Sequence, residues 1–224
     1  MAAPRLDGPR LPPASGGPAR QLVVFLHGYG ADGNDLIALG REWASALPHA
    51  AFVSPHAPEA CGMAPMGRQW FNLTFRDPSE MARGVAQAGP VLDAFLNAEL
   101  ERLRLPSRSL ALVGFSQGTM MALAVGLRRN PVIAAIVGYS GALAGVEALP
   151  ERPGAGPAIL LVHGDMDEVI PVDAMLLARE QLAQAGLPVE WHVAQGLGHG
   201  IDATGLKLGG AFLKQSFATA AVVQ

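Results

Sequence analysis

Leu110-Ala111-Leu112-Val113-Gly114-Phe115-Ser116-Gln117-Gly118 is an apolar run of strand length that breaks into a glycine-bounded serine turn, and an apolar stretch over 120–127 follows at once. The order strand, sharp turn, helix places Ser116 at the edge of a sheet in strained backbone geometry. The outer glycines have a steric reason, because side chains at 114 and 118 would collide with the neighbouring strand and helix. A hydroxyl held there can lose its proton to a histidine, and nearby backbone N–H groups can stabilise an oxyanion. In a chain with 27 glycines the five-residue pattern alone is weak, and its position between strand and helix gives it weight.

The same order recurs on both sides of this turn. A continuous apolar run over 21–26 ends at the glycine-rich loop His27-Gly28-Tyr29-Gly30-Ala31-Asp32-Gly33, and Asn34 or Asp35 can cap a helix running to about residue 47. A short strand over 50–54 stops at Pro55 and Pro58, and 55–80 reads as a long irregular segment. A helix is predicted from about Pro90, placed in its first turn, to residue 105. Strands are predicted over 109–113, 132–137, 158–162 and 189–193, with helices after the serine turn, over 172–185 and over 204–218. Arg128-Arg129-Asn130-Pro131 and Gly186 supply stop signals. Short apolar strands alternating with helices mean an α/β fold, a mainly parallel sheet with helices on both faces. Sites in such sheets gather at the C-terminal ends of the strands. His27, Tyr29, Ser116, Asp165, Asp167 and His199 all fall at such ends.

The 224 residues fit one domain over 20–224 preceded by an extended arm over 1–19. Half the residues are hydrophobic and 16% are charged, which excludes a disordered chain. A net charge of −3 gives no basic footprint, so no nucleic-acid partner is expected. The single Cys61 excludes an intrachain disulfide and a multi-cysteine metal site, and no metal or organic cofactor is expected. No signal peptide or membrane-spanning run is apparent, so the expected location is cytoplasmic, without stable membrane insertion. Apolar residues on the last helices suit a homodimer, and burial of the same residues against the sheet explains them equally well.

A serine nucleophile needs a base, and the base needs an orienting carboxylate. Among the six histidines, His199 lies in Gly198-His199-Gly200, a loop between the last strand and last helix whose glycines let the imidazole face a cleft. His27 and His163 each precede a glycine at a strand end and are expected to brace loops by hydrogen bonding. Asp165, Asp167 and Glu168 compete for the acid. Asp167 is preferred because Val169-Ile170-Pro171 can pin its loop, whereas Asp165, nearer the strand end, suits a turn of its own. Oxyanion donors are expected from the N–H groups of Gln117, at a helix start, and Tyr29, in the first loop.

The chain resembles the bacterial carboxylesterase/phospholipase group of α/β-hydrolases, which includes acyl-protein thioesterases and lysophospholipases. The resemblance rests on Leu26-His27-Gly28-Tyr29-Gly30 with Asn34-Asp35-Leu36, Gly67-Arg68-Gln69-Trp70-Phe71, Gly114-Phe115-Ser116-Gln117-Gly118, His163-Gly164-Asp165-Met166-Asp167-Glu168-Val169-Ile170-Pro171 and Gly198-His199-Gly200. It implies an α/β-hydrolase fold, a triad of Ser116, Asp167 and His199, oxyanion donors at Tyr29 and Gln117, and hydrolysis of small-molecule esters through an acyl-enzyme. Thioesterase members more often carry Leu where this chain has Tyr29, which leaves the backbone donor but bears on acyl preference. Met63, Met66, Trp70, Phe71, Met166 and Val169 are the candidate substrate contacts, and sealing of the core is the competing account of Met63, Met66, Trp70 and Phe71. The short segment over 139–157 predicts an open cleft with no cap domain and a preference for short to medium acyl chains. A thioesterase or lysophospholipase is the alternative activity, and a catalytically silent binding protein is the alternative of another class.

Overall fold

A computed structural model of the chain describes residues 6–74, 77, 79–145 and 156–222. A two-residue strand, β1 (Arg10–Leu11), precedes β2 (Gln21–Leu26), helix α1 (Gly33–Trp43) and β3 (Ala50–Val53). A small hairpin, β4 (Glu59–Ala60) and β5 (Arg68–Gln69), leads to the long helix α2 (Glu80–Leu103). Then follow β6 (Leu110–Phe115), α3 (Gln117–Gly126), β7 (Ala135–Tyr139), β8 (Ala158–Gly164), α4 (Val172–Gln184), β9 (Val189–Ala194) and α5 (Ala203–Val222). Seven strands form the main sheet in the order β1-β3-β2-β6-β7-β8-β9. Every pair is parallel except β1 with β3. This is the mainly parallel sheet that the sequence pattern predicts, in the arrangement that the resemblance to α/β-hydrolases implies.

The continuous apolar runs reflect burial on both faces. Along β2, Leu22, Val24 and Leu26 join a core with Leu92 and Leu96 of α2 and Met121 of α3. Val23 and Phe25 point the other way, into a core with Trp43 of α1 and Leu213 of α5. The Phe25 and Trp43 rings lie 5.7 Å apart, and the Trp43 indole N–H donates to Leu206 O at 2.9 Å, tying α1 to α5. Phe212, Leu213 and Phe217 of α5 are buried. No described helix is long and apolar enough to cross a membrane.

Four boundaries differ from the sequence reading. Helix α2 begins at Glu80, and Pro90 lies inside it. Pro90 and Ala86, whose carbonyl loses its helical partner to the proline, are both exposed, so water can take that bond. The α1 cap is Asp32, whose side chain accepts from Asn34 N–H at 2.7 Å, not Asn34 or Asp35. Strand β7 starts at Ala135, because Ile133 is buried without entering the ladder. The segment read as irregular contains the β4–β5 hairpin, whose register pairs Glu59 with Gln69 and Ala60 with Arg68. Such short polar strands carry no hydrophobic alternation. The expectation of no cap domain concerns 139–157, of which 146–155 lie outside the described residues.

Candidate active site

Ser116 sits between the end of β6 and the start of α3 with φ 54° and ψ −117°. That φ is costly for a residue with a side chain and persists because the surroundings impose it. Ser116 N–H donates to Tyr139 O at 2.9 Å. A Cβ on Gly118 would stand 1.8 Å from Leu26 O, and one on Gly114 would stand 2.4 Å from Gly118 O. The two glycines therefore let α3 press onto β2 and the turn close on itself. The Ser116 residue is 9% exposed.

His199 follows β9 and lies beside this turn, its ring centroid 5.0 Å from that of Phe115. Its Nδ1 is 2.7 Å from Asp167 Oδ2. The Asp167 side chain is fully buried on the loop after β8. Its Oδ1 accepts the N–H groups of Val169 and Ile170, each at 2.9 Å. Burial pushes the Asp167 carboxyl up, but the His199 hydrogen bond and the Ile170 and Val169 N–H groups outweigh it and hold the group below the usual carboxylate value. An ionised carboxylate only accepts, so His199 Nδ1 carries the proton of their bond, which in a neutral ring leaves the lone pair on Nε2. The site thus pairs an oriented imidazole with a serine turn, the arrangement that activates a nucleophile.

The competing acids go elsewhere. Asp165 Oδ1 accepts from Gly196 N–H at 2.6 Å and ties its loop to the one bearing His199. Glu168 is exposed. Two further side chains hold Asp167 and the His199 loop: His163, expected to brace a loop but with no partner named, and Ser140, which no sequence pattern marks. His163 Nε2 lies 3.1 Å from Asp167 Oδ2 and 2.8 Å from Ile170 O, so its N–H is shared between two acceptors. Its Nδ1 is buried with no partner among the described residues. Ser140, at φ 46°, donates its hydroxyl to Gly200 O at 2.9 Å and holds the residue after His199. A histidine at a strand end announces bracing but not its partner, and nothing local marks Ser140.

The loop after β2 carries Tyr29, and a Cβ on the preceding Gly28 would stand 3.3 Å from Ser116 Cβ. His27 Nδ1–H donates to Gly28 O at 2.8 Å, and its Nε2 accepts from Ala57 N–H at 3.0 Å. Burial pushes the His27 imidazole down, consistent with a neutral ring that braces the loop. The Tyr29 phenol is pushed up by burial and by its hydrogen bond with Cys61. Gln117 begins α3, so its backbone N–H opens at the helix terminus beside Ser116.

The six candidate substrate contacts divide. Met63 (83% exposed), Met66 (90%), Met166 (63%) and Val169 (57%) are open to solvent. Met66 and Ala64 face Gly30 and Ala31 across a groove of about 640 Å³. Trp70 and Phe71 are 1% and 3% exposed and belong to the core, contrary to their assignment as substrate contacts. Their aromatic area is used inside, with the Phe71 ring packed where a Cβ on Gly84 would stand. A larger cleft of about 820 Å³, lined by Val85, Pro90, Asp93 and Arg128, includes none of Ser116, Asp167 and His199.

Residues 13–217 match the phospholipase/carboxylesterase family. The chain is 31% identical over 194 residues to an esterase, YpfH, of Escherichia coli (strain K12), covering 83% of this chain and 78% of the relative. It is 29% identical over 219 residues to acyl-protein thioesterase 1 of Saccharomyces cerevisiae, covering 90% and 95% of the two chains. The crystal structure of esterase PE8 superposes with a TM-score of 0.88 at 45% identity, over 94% of this chain and 99% of that one.

Proposed function

The chain belongs to the phospholipase/carboxylesterase family, and from that membership we propose that it is a carboxylesterase working through an acyl-enzyme on Ser116. The observation that carries this reading is the 2.7 Å bond from His199 to the buried Asp167, with the imidazole packed against the residue preceding Ser116. His199 Nε2 takes the proton of Ser116 Oγ as the oxygen bonds to the ester carbonyl carbon. The carbonyl oxygen becomes an oxyanion held by the N–H groups of Tyr29 and Gln117. Asp167 stabilises the imidazolium. Collapse of the tetrahedral intermediate breaks the bond to the alcohol, which receives the proton from His199. Water then repeats the sequence on the acyl-enzyme, and the carboxylic acid leaves. No step calls on a metal or an organic cofactor.

The exposed Met63, Met66, Met166 and Val169 support short to medium acyl chains, since they offer apolar contact without enclosure. Similarity to an acyl-protein thioesterase favours a second reading in which the leaving group is a thiol. The test is hydrolysis of matched oxygen esters, thioesters and lysolipids from butyryl to palmitoyl by the wild type and Ser116→Ala. Expected are a maximum on short or medium oxygen esters and no turnover by the variant. Undiminished turnover by Ser116→Ala overturns the nucleophile, and a large preference for palmitoyl substrates overturns the chain-length reading.

A further inference from the structure

The two proposed oxyanion donors sit on different elements, one after β2 and one at the start of α3. Nothing in a strand–turn–helix unit alone fixes their separation. Yet oxyanion donors act only within a few tenths of an ångström of their place. One short segment, Arg68 to Phe71, is bonded to both. On the Tyr29 side, Gly30 N–H donates to Arg68 O at 2.9 Å, and Arg68 N–H donates to Ala31 O at 2.7 Å. The Trp70 indole N–H donates to His27 O at 3.0 Å. On the Gln117 side, Trp70 N–H donates to Gln117 Oε1 at 2.9 Å, and Gln117 Nε2–H donates to Phe71 O at 2.8 Å. Gln117 and Trp70 are each 1% exposed, so water cannot replace these bonds without opening the core.

The Gln117 amide matches its site atom for atom. It presents one acceptor and one donor to successive residues, as a neighbouring strand would. Glutamate lacks the donor, asparagine is a methylene short, and leucine has neither polar atom. The guanidinium of Arg68 extends the same frame, donating to Ala57 O at 2.8 Å and Pro58 O at 2.7 Å. Ala57 in turn donates to His27. The loop of Tyr29 and the start of α3 are thereby joined through one hydrogen-bonded network, buried at His27, Trp70 and Gln117 and half-buried at Arg68.

We infer that Arg68–Phe71 is a splint that sets the distance between the Tyr29 and Gln117 N–H groups, with the Gln117 side chain and the Trp70 indole as positioning residues. The inference rests on Ser116 being the nucleophile and goes beyond it. The splint acts on the tetrahedral state, where the carbonyl oxygen carries full charge. Its loss lowers kcat and leaves KM nearly unchanged. A merely structural role would lower thermal stability without that split.

Gln117→Leu removes the clamp at similar volume, and Trp70→Phe removes only the indole side of it. Rates are normalised to active sites titrated with a fluorophosphonate, so partial unfolding cannot imitate the effect. An alkyl trifluoromethyl ketone serves as the second probe. Ser116 Oγ bonds to its carbonyl carbon, the proton passes to His199, and the oxygen becomes an alkoxide in the oxyanion site. For Gln117→Leu the expected result is kcat lower by about 10- to 100-fold, KM within about threefold, and ketone affinity weakened by the factor lost in kcat. Trp70→Phe shows the same pattern at about 3- to 10-fold, and it carries the test if Gln117→Leu does not fold. Either variant, folded, with kcat and ketone affinity within about twofold of wild type overturns the splint. That result beside an inactive Ser116→Ala leaves the nucleophile standing, whereas an active Ser116→Ala removes both proposals.

Discussion

On one side of Ser116 the site is made of side chains, with His199 bonded to Asp167 and His163 bonded behind it. On the other side it is made of backbone, the Tyr29 loop and the start of α3 bonded to a common segment over 68–71. The first half depends on what each residue is, because only an imidazole and a carboxylate carry that proton chemistry. The second depends on where the chain runs, because any residue but proline has an N–H. The histidine half should therefore fail in large steps when a residue is replaced. The oxyanion half should fail by degrees, through residues that never touch substrate.

The largest expected effects lie in the histidine half. His199→Ala and Asp167→Asn should each lower kcat/KM by about 10⁴-fold in steady-state ester hydrolysis, with the fold retained by circular dichroism. Losses as small as those of the splint variants would erase the contrast between the halves. Next comes His163→Phe, which takes one donor from a buried carboxylate. Denaturant unfolding should show a loss of about 1.5–3 kcal/mol, and His163→Gln, which can restore an N–H donor, should recover part of it.

Acidification acts on the two halves with different signs of charge. Asp167 is held below its usual value in the fold, so its contribution to stability is present above the unfolded carboxyl value of 3.8 and fades only as pH falls through the lower folded value. His27, on the oxyanion side, is pushed down from 6.5 by burial. Below pH 6.5 the unfolded chain takes up a proton that the folded one refuses, so stability falls as pH drops toward the folded value. Urea unfolding should give a smaller free energy at pH 5.5 than at 7.5, with a weaker pH dependence in His27→Gln. An equal dependence in that variant would assign the loss to another group. The smallest effects belong to the rim. Met63→Ala and Met66→Ala should alter KM for medium-chain esters by a few-fold and leave unfolding free energy within about 0.5 kcal/mol.

The same division explains how far the site could be read from the amino acids. The serine turn is legible because its pattern is short and contiguous: Gly114 is forced by the turn closing on Gly118, and Gly118 by the carbonyls of Leu26 and His27 at the end of β2. The main-sheet strands are legible because burial on both faces writes an unbroken apolar run. Asp165 and Asp167 are both short acids on one loop, and Val169-Ile170-Pro171 is enough to prefer Asp167, but their separate partners, Gly196 N–H and His199 Nδ1, leave no local trace in the sequence. Trp70 and Phe71 misled because large apolar residues in an irregular segment look the same whether they meet substrate or core. Their burial depends on Gln117, 46 and 47 positions away, and on Gly84 in a helix whose start Pro90 disguised. Periodicity carries no trace of a polar two-strand hairpin or of a side-chain amide acting as a strand edge.

The central claim is that His199, oriented by Asp167, activates Ser116. Its most direct measurement is the rate of fluorophosphonate adduct formation, with the adduct located by peptide mass spectrometry. The account predicts one adduct, on Ser116, absent in Ser116→Ala and slowed by orders of magnitude in His199→Ala. An adduct on another residue, or labelling of Ser116 at the wild-type rate without the imidazole of His199, would contradict it.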